Sequence, residues 1–324
     1  MTPSSFCADI SSQLGEDLIG YGIPTPLYVL IECPRPWAAN ALESPALPQA
    51  LQTYLRDYPQ THGPIRPLLI CNRDTSPERV RVMICRQPDG FAHEYQAQEF
   101  QVETLEAVLP VLKSQLQGQL SPDADLSGGD RPAQRRDILV CTHGRHDRCC
   151  ARYGKPFYHQ ACDLVARLNL PHVKVWEVSH IGCHRFAPTL VDLPSARYYG
   201  RLTVDALSAV LTRTGAVEVM TDIYRGWGLL PNPAQALERE LILRYGWDWF
   251  DYRVKCRLLE VNETETDCEV DLQVQTPTGE IEGYRGRVIE DGDRTLSLIV
   301  SCGNSQPSEL APLLVKNLNK VSYK

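Results

Sequence analysis

DILVCTHGRHDRCCARYGKPFYHQACDLVARLNLPHVKVWEVS (137–179) is the stretch whose reading decides the fold. DILVC (137–141) reads as a short buried strand, KPFYHQACDLVARLNL (155–170) carries apolar residues at helical spacing, and HVKVWEVS (172–179) reads as a strand again. Between the first strand and the helix lies CTHGRHDRCC (141–150), with three cysteines, two histidines, two arginines and an aspartate in ten residues. In an open α/β sheet the carboxyl end of a strand, just before its helix, is where ligands bind.

Working outward, TLVDLP, ARYYGRL and TVDALSAVLTRT (203–214) complete a β-α-β-β-β-α order. The first part of the chain shows nearly the same order: LYVLIEC (27–33), a helix near ALPQALQTYLRDY (46–58), RPLLICN, RVRVMICRQ, HEYQAQEF and ETLEAVLPVLKSQL (103–116). The expected fold is therefore α/β, with two tandem thioredoxin-like units. The stretch 116–137, rich in Gln, Ser, Asp and Gly, has the composition of a flexible connection between them. After residue 215 a helix at NPAQALERELILRYG (232–246) precedes RVKCRLLEV, TDCEVDLQVQ, EIEGYRGRVIE and TLSLIVSC, with TPTG and EDGD as turns. This reads as a C-terminal helix plus a four-stranded antiparallel β-sheet appendage. The expected organisation is an N-terminal unit without ligands (1–120), a metal-site unit (135–215) and the appendage (216–324).

At 324 residues, 43% hydrophobic and 23% charged, the chain is globular rather than disordered. A net charge of -7 argues against nucleic acid or an anionic membrane as a partner. No basic leader with an apolar core opens the sequence and no apolar run reaches the length of a membrane span, so a cytoplasmic location is expected. Twelve cysteines without a secretory signal read as reduced thiols or metal ligands, not as a disulfide framework.

The second half of a site stands in VSHIGCHRFAP (178–188), where His180 and His184 are four apart and two imidazoles can point the same way. If the two strands end on one sheet edge, Cys141, Cys150, His180 and His184 converge as a Cys2His2 set, which suits zinc or an iron-sulfur cluster. The eight residues between Cys141 and Cys150 exceed the usual zinc-knuckle spacing and leave room for a larger, two-iron group. Arg145, Arg148 and Arg185 flank these residues, where their charge would favour thiolates, and His143 reads as a residue supporting the ligands.

Three other motifs use the same letters. A phosphatase loop places its arginine after five intervening residues, whereas Arg145 and Arg148 fall at +4 and +7 from Cys141. A Rieske centre also begins C-T-H, but its second box, a Cys with a His three positions on, is absent. A dithiol exchanger needs C-x-x-C, which neither Cys149-Cys150 nor Cys141-Cys150 supplies.

C-T-H-G-x-x-D-x-C-C-A-x-x-G-x-P (141–156) together with W-E-x-S-H-x-G-x-H-R-F-A-P (176–188) resembles the sucrase/ferredoxin-like family of thioredoxin-like ferredoxins, and PTPLYVLIECPRPW (24–37) and LPSARYYGRL (193–202) extend the likeness. The resemblance implies a 2Fe-2S cluster on Cys141, Cys150, His180 and His184. Cys149 beside Cys150, and Cys183, standing where the family has glycine, are possible substitute ligands. The resemblance further implies a one-electron carrier, rather than an enzyme with its own substrate, that serves redox partner proteins and couples electron to proton transfer. Glycoside hydrolysis is not expected, because no convergent pair of carboxylates is identifiable. The alternatives are a structural Cys2His2 zinc site and a thiol-dependent reductase using Cys149, Cys150 or Cys183. Cys33, Cys71, Cys85, Cys162, Cys256 and Cys302 read as inert core, and Cys7 has no assignment.

Overall fold

The computed structural model describes residues 6–76, 78–117, 128–130, 135–263 and 267–322. A mixed α/β body with one large sheet carries a separate antiparallel sheet at its C-terminal end. The elements in chain order are α1 (Cys7–Gln13), β1 (Leu27–Glu32), α2 (Gln49–His62), β2 (Arg66–Cys71), β3 (Val80–Arg86), β4 (Gln96–Val102), α3 (Val108–Gln117) and β5 (Gly128–Asp130). The second half continues with β6 (Arg136–Cys141), α4 (Lys155–Arg167), β7 (Val173–Val178), β8 (Leu190–Leu193), β9 (Arg197–Tyr199), α5 (Val204–Thr212), α6 (Met220–Ile223) and β10 (Tyr224–Trp227). The last part holds α7 (Asn232–Tyr245), β11 (Arg253–Leu259), β12 (Asp267–Gln275), β13 (Ile281–Glu290), β14 (Leu296–Leu298), β15 (Ser308–Leu310) and β16 (Leu313–Val321).

The ten strands of the large sheet run β10-β9-β8-β6-β7-β2-β1-β3-β4-β5. Within it the two halves repeat one pattern. β1 has β2 parallel on one side and β3 antiparallel on the other, and β6 has β7 parallel and β8 antiparallel. The halves fuse where β2 meets β7 antiparallel, Ile70 opposite Val178 and Cys71 opposite Glu177. β1 is buried along its whole length and β6 along all but its first residue, which explains why both read as continuous apolar runs. Leu27, Val29 and Ile31 of β1 pack with Leu51 and Leu55 of α2 and Val108 and Leu112 of α3, while Tyr28 and Leu30 face the larger core on the opposite side. In α4, Phe157, Ala161 and Leu164 form one helical stripe against that larger core. Trp176, Tyr198, Tyr199, Tyr224 and Trp227 are core residues.

Three features differ from the sequence reading. TLSLIVSC is not the fourth strand of the C-terminal sheet: its Leu296–Leu298 forms a small hairpin with β15, and β16 takes that place in the order β11-β12-β13-β16. LLVKNLNKV lacks strict alternation because most of β16 is half-buried or exposed, so its period is weak. β10 and α1 carry no readable pattern at four and seven residues. The stretch 116–137 lies mostly outside the described residues; within it Gly128–Asp130 pairs with β4, and β6 begins at Arg136.

The C-terminal part docks through α7. Arg197 Nη1 on β9 donates to Glu238 Oε1 at 2.6 Å, Tyr224 Oη donates to Glu238 Oε2 at 2.7 Å, and Trp249 Nε1 donates to Glu238 Oε1 at 3.0 Å. The Arg197 guanidinium stacks 3.8 Å from the Trp227 ring centre, and Glu238 has no solvent exposure. Replacing Glu238 by leucine leaves the Arg197 charge buried without its partner. It should cost about 3–5 kcal/mol, read as a fall in the denaturant midpoint without loss of soluble expression at low temperature.

Candidate metal centre

β6 and β7 are parallel with Cys141 opposite Val178, so the loop after each strand opens on the same sheet edge. After Cys141 the chain loops through Thr142–Asp147 and then enters a wide π-helical turn, Cys150–Gly154, that leads into α4. A β-carbon on Gly154 would sit 1.9 Å from the Cys141 carbonyl oxygen. Glycine is thus what allows the helix to press against the end of β6 and carry Cys150 back toward Cys141. Buried Glu177, next to the end of β7, accepts from Thr142 Oγ1 at 2.8 Å and Lys155 Nζ at 2.7 Å, tying strand, loop and helix together.

The Sγ atoms of Cys141 and Cys150 lie 3.9 and 3.7 Å from His180 Nδ1, and these three form one group whose donor atoms all lie within 4.8 Å of one another. His184 joins His180 in a second such group, with ring centres 5.3 Å apart, but does not fall in the first. The shared direction of the two imidazoles does not come from a helix. Gly182 and Cys183 both take positive φ, 87° and 53°, and the reversal brings His184 back beside His180. Cys183 belongs to neither group.

His146, which lies outside the expected ligand set, stacks on His180 with ring centres 3.7 Å apart and completes the second group. Burial, then the neighbouring His180, pushes its pKa down and keeps it neutral, the form that binds metals. His143 is fully committed elsewhere: its Nδ1 accepts from the backbone N–H of His180 at 3.3 Å, and its Nε2 therefore donates to the carbonyl of Ala38 at 2.7 Å. It orients the His180 backbone, and the N-terminal half supplies the anchor. Trp37 meets His143 edge-on at 5.8 Å.

Of the arginines read as flanking charges, Arg185 does not serve the site. Its Nε donates to Glu16 at 2.8 and 3.1 Å, and its guanidinium lies over Tyr21 and Phe186. Arg148 lies over Phe6, and Arg145 is exposed. The charge on the thiols is set locally instead. A hydrogen bond from Cys150, with His180 beside it, holds Cys141 well below the usual thiol range, and that same bond together with burial pushes Cys150 up. Cys149 is pushed up by its bond with Cys7 and by burial. Burial likewise pushes Cys33 to about 12, Cys71 to about 11 and Cys256 to about 12, as inert core thiols.

The Cys and His donors could hold a metal. Two thiols stand with His180 and three imidazoles stand together, sharing His180, and neither ring nitrogen of His184 makes a hydrogen bond among the described residues although both are shielded from water. Asp147 Oδ2 stands 3.3 Å from His184 Nε2 without hydrogen-bond alignment. Residues 18–226 match the sucrase/ferredoxin-like family. The chain belongs to that family. Its shared region takes in the large sheet through Gly226 and both halves of the candidate site, and stops before the C-terminal sheet. A similar protein is altered inheritance of mitochondria protein 32 of Meyerozyma guilliermondii, 27% identical over 95 residues, which are 28% of this chain and 34% of that protein. The match thus spans about a third of the curated relative's length. No solved structure matches the chain. Among the described residues no helix is long and apolar enough to cross a membrane.

Proposed function

We propose that this chain is a cytoplasmic one-electron carrier in which two thioredoxin-like units are fused, the second holding a 2Fe-2S cluster through Cys141, Cys150, His180 and His184. The reading rests above all on the grouping of buried Cys141 and Cys150 with partly exposed His180, which is shared with a second group that holds His184. Such a cluster supplies a one-electron couple whose potential two histidine ligands raise above that of an all-cysteine ferredoxin. The thiols lie on the inner side of the site and exclude water there. Both ring nitrogens of His184 are shielded from water, so proton exchange with solvent as the charge of the site changes falls to the partly exposed His180. Redox partner proteins dock against the side bearing exposed His146.

The test is to purify the full chain without air and record its visible spectrum and its EPR after reduction. A coloured protein with a reduced-state 2Fe-2S signal supports the reading; a colourless protein holding zinc at Cys141 and His180 overturns it in favour of a structural ion. His180→Cys and His184→Cys should each keep the cluster and lower its potential by roughly 100 mV or more, measured by redox titration, because thiolate donates more charge to iron than imidazole does.

A further inference from the structure

A second set of thiols stands beside this site. The Sγ atoms of Cys7 and Cys149 are 3.4 Å apart, those of Cys149 and Cys302 3.4 Å, and those of Cys302 and Cys7 3.6 Å. A carboxylate oxygen of Asp147 lies with them, all four donor atoms being within 4.8 Å of one another. Asp147 is fixed there by the backbone N–H groups of Cys149 at 2.8 Å and Cys302 at 3.2 Å.

We propose that Cys7, Cys149, Cys302 and Asp147 form a structural zinc site. A tetrahedral zinc with bonds of about 2.3 Å to sulfur sets its thiolates about 3.8 Å apart, a few tenths of an ångström beyond this nearly equilateral triangle. A disulfide would instead draw two of the sulfurs to about 2.05 Å and leave the third unpaired. Three soft thiolates with one carboxylate make a closed set without a position for substrate, the pattern of structural rather than catalytic zinc. Binding requires all three thiols as thiolates and releases their protons to solvent.

The topology gives the site a task. Its cysteines are 142, 153 and 295 residues apart in pairs and come from α1, the metal-centre loop and the turn after β14. α1 has seven residues, and β14 and β15 pair as an isolated two-stranded sheet of three residues each, elements too short to be stable alone. Zinc would staple both ends of the chain to the loop that carries Cys150. This assignment does not depend on the cluster reading, because the two sites share no ligand, although Asp147 Oδ2 also stands 3.3 Å from His184 Nε2.

Elemental analysis of the full chain purified without air tests the proposal, with iron and zinc counted separately. The expected result is a single zinc per chain, reduced about tenfold or more in Cys302→Ser and Cys7→Ser while iron is retained. Zinc should survive Cys141→Ser, and Cys302→His, which offers an imidazole in place of the thiolate, should keep it. Should the serine variants fail to fold, cobalt(II) added to chelator-treated wild type should give a thiolate-to-cobalt charge-transfer band. Absence of that band, zinc unchanged in Cys302→Ser, zinc lost with Cys141→Ser, or a disulfide between Cys7 and Cys149 in the intact mass would each overturn it.

Discussion

Cys141→Ala should yield a protein with no visible chromophore and with iron reduced about tenfold or more, since losing a ligand costs at least what changes in the groups around ligands cost. Cys141 is buried at the end of the central strand β6, and its thiol is the one held toward thiolate, so no neighbouring side chain can replace it without moving the strand. Cys149 is not available as a substitute: its sulfur lies with Cys7 and Cys302, in a group separate from that of Cys141 and His180. Full iron content in Cys141→Ala, measured on protein purified without air, would contradict the ligand assignment. A fold that survives the substitution is expected, because alanine fits where a buried cysteine stood at the cost of a small cavity. Loss of iron is then separable from loss of structure by circular dichroism.

Gly154→Ala should be nearly as damaging by a different route. The added carbon meets a backbone oxygen at 1.9 Å, which a side-chain rotation cannot relieve, so either β6 or the π turn must shift. The expected cost is roughly 3 kcal/mol, a fall in Tm of at least about 5 °C for a chain of this size, with iron content reduced as Cys150 moves off Cys141. Gly292→Ala, where an added carbon meets no atom within 4 Å, should change stability by less than about 0.5 kcal/mol and serves as the control. A Tm for Gly154→Ala equal to that of the control would show that the helix does not depend on this close approach.

Both results bear on how much the sequence carried. The order β-α-β-β-β-α was legible in each half because each strand and helix states its own period locally, and β1 and β6 are apolar along their lengths as covered central strands must be. Cys141, Cys150 and His180 were legible as neighbours in the same way, from two short motifs at the ends of adjacent strands, whereas the grouping of His184 with His146 was not. Gly154 stood in the quoted motif, but the need for it, a carbonyl from the preceding strand, is a contact that letters do not display.

What tertiary structure alone decided is everything that depends on distant segments meeting. The antiparallel meeting of β2 with β7 makes one sheet of ten strands from two repeats. β16, weakly patterned, and not TLSLIVSC, closes the C-terminal sheet. Ala38 from the N-terminal half fixes the tautomer of His143, His146 stacks onto His180, and Cys7 and Cys302, an unassigned residue and one read as core, close on Cys149. Local spacing encodes the elements because a helix or strand repeats within a few residues. Which elements become neighbours is set by the packing of faces across the whole core, and contacts spanning 142 to 295 residues leave no periodic trace in the chain.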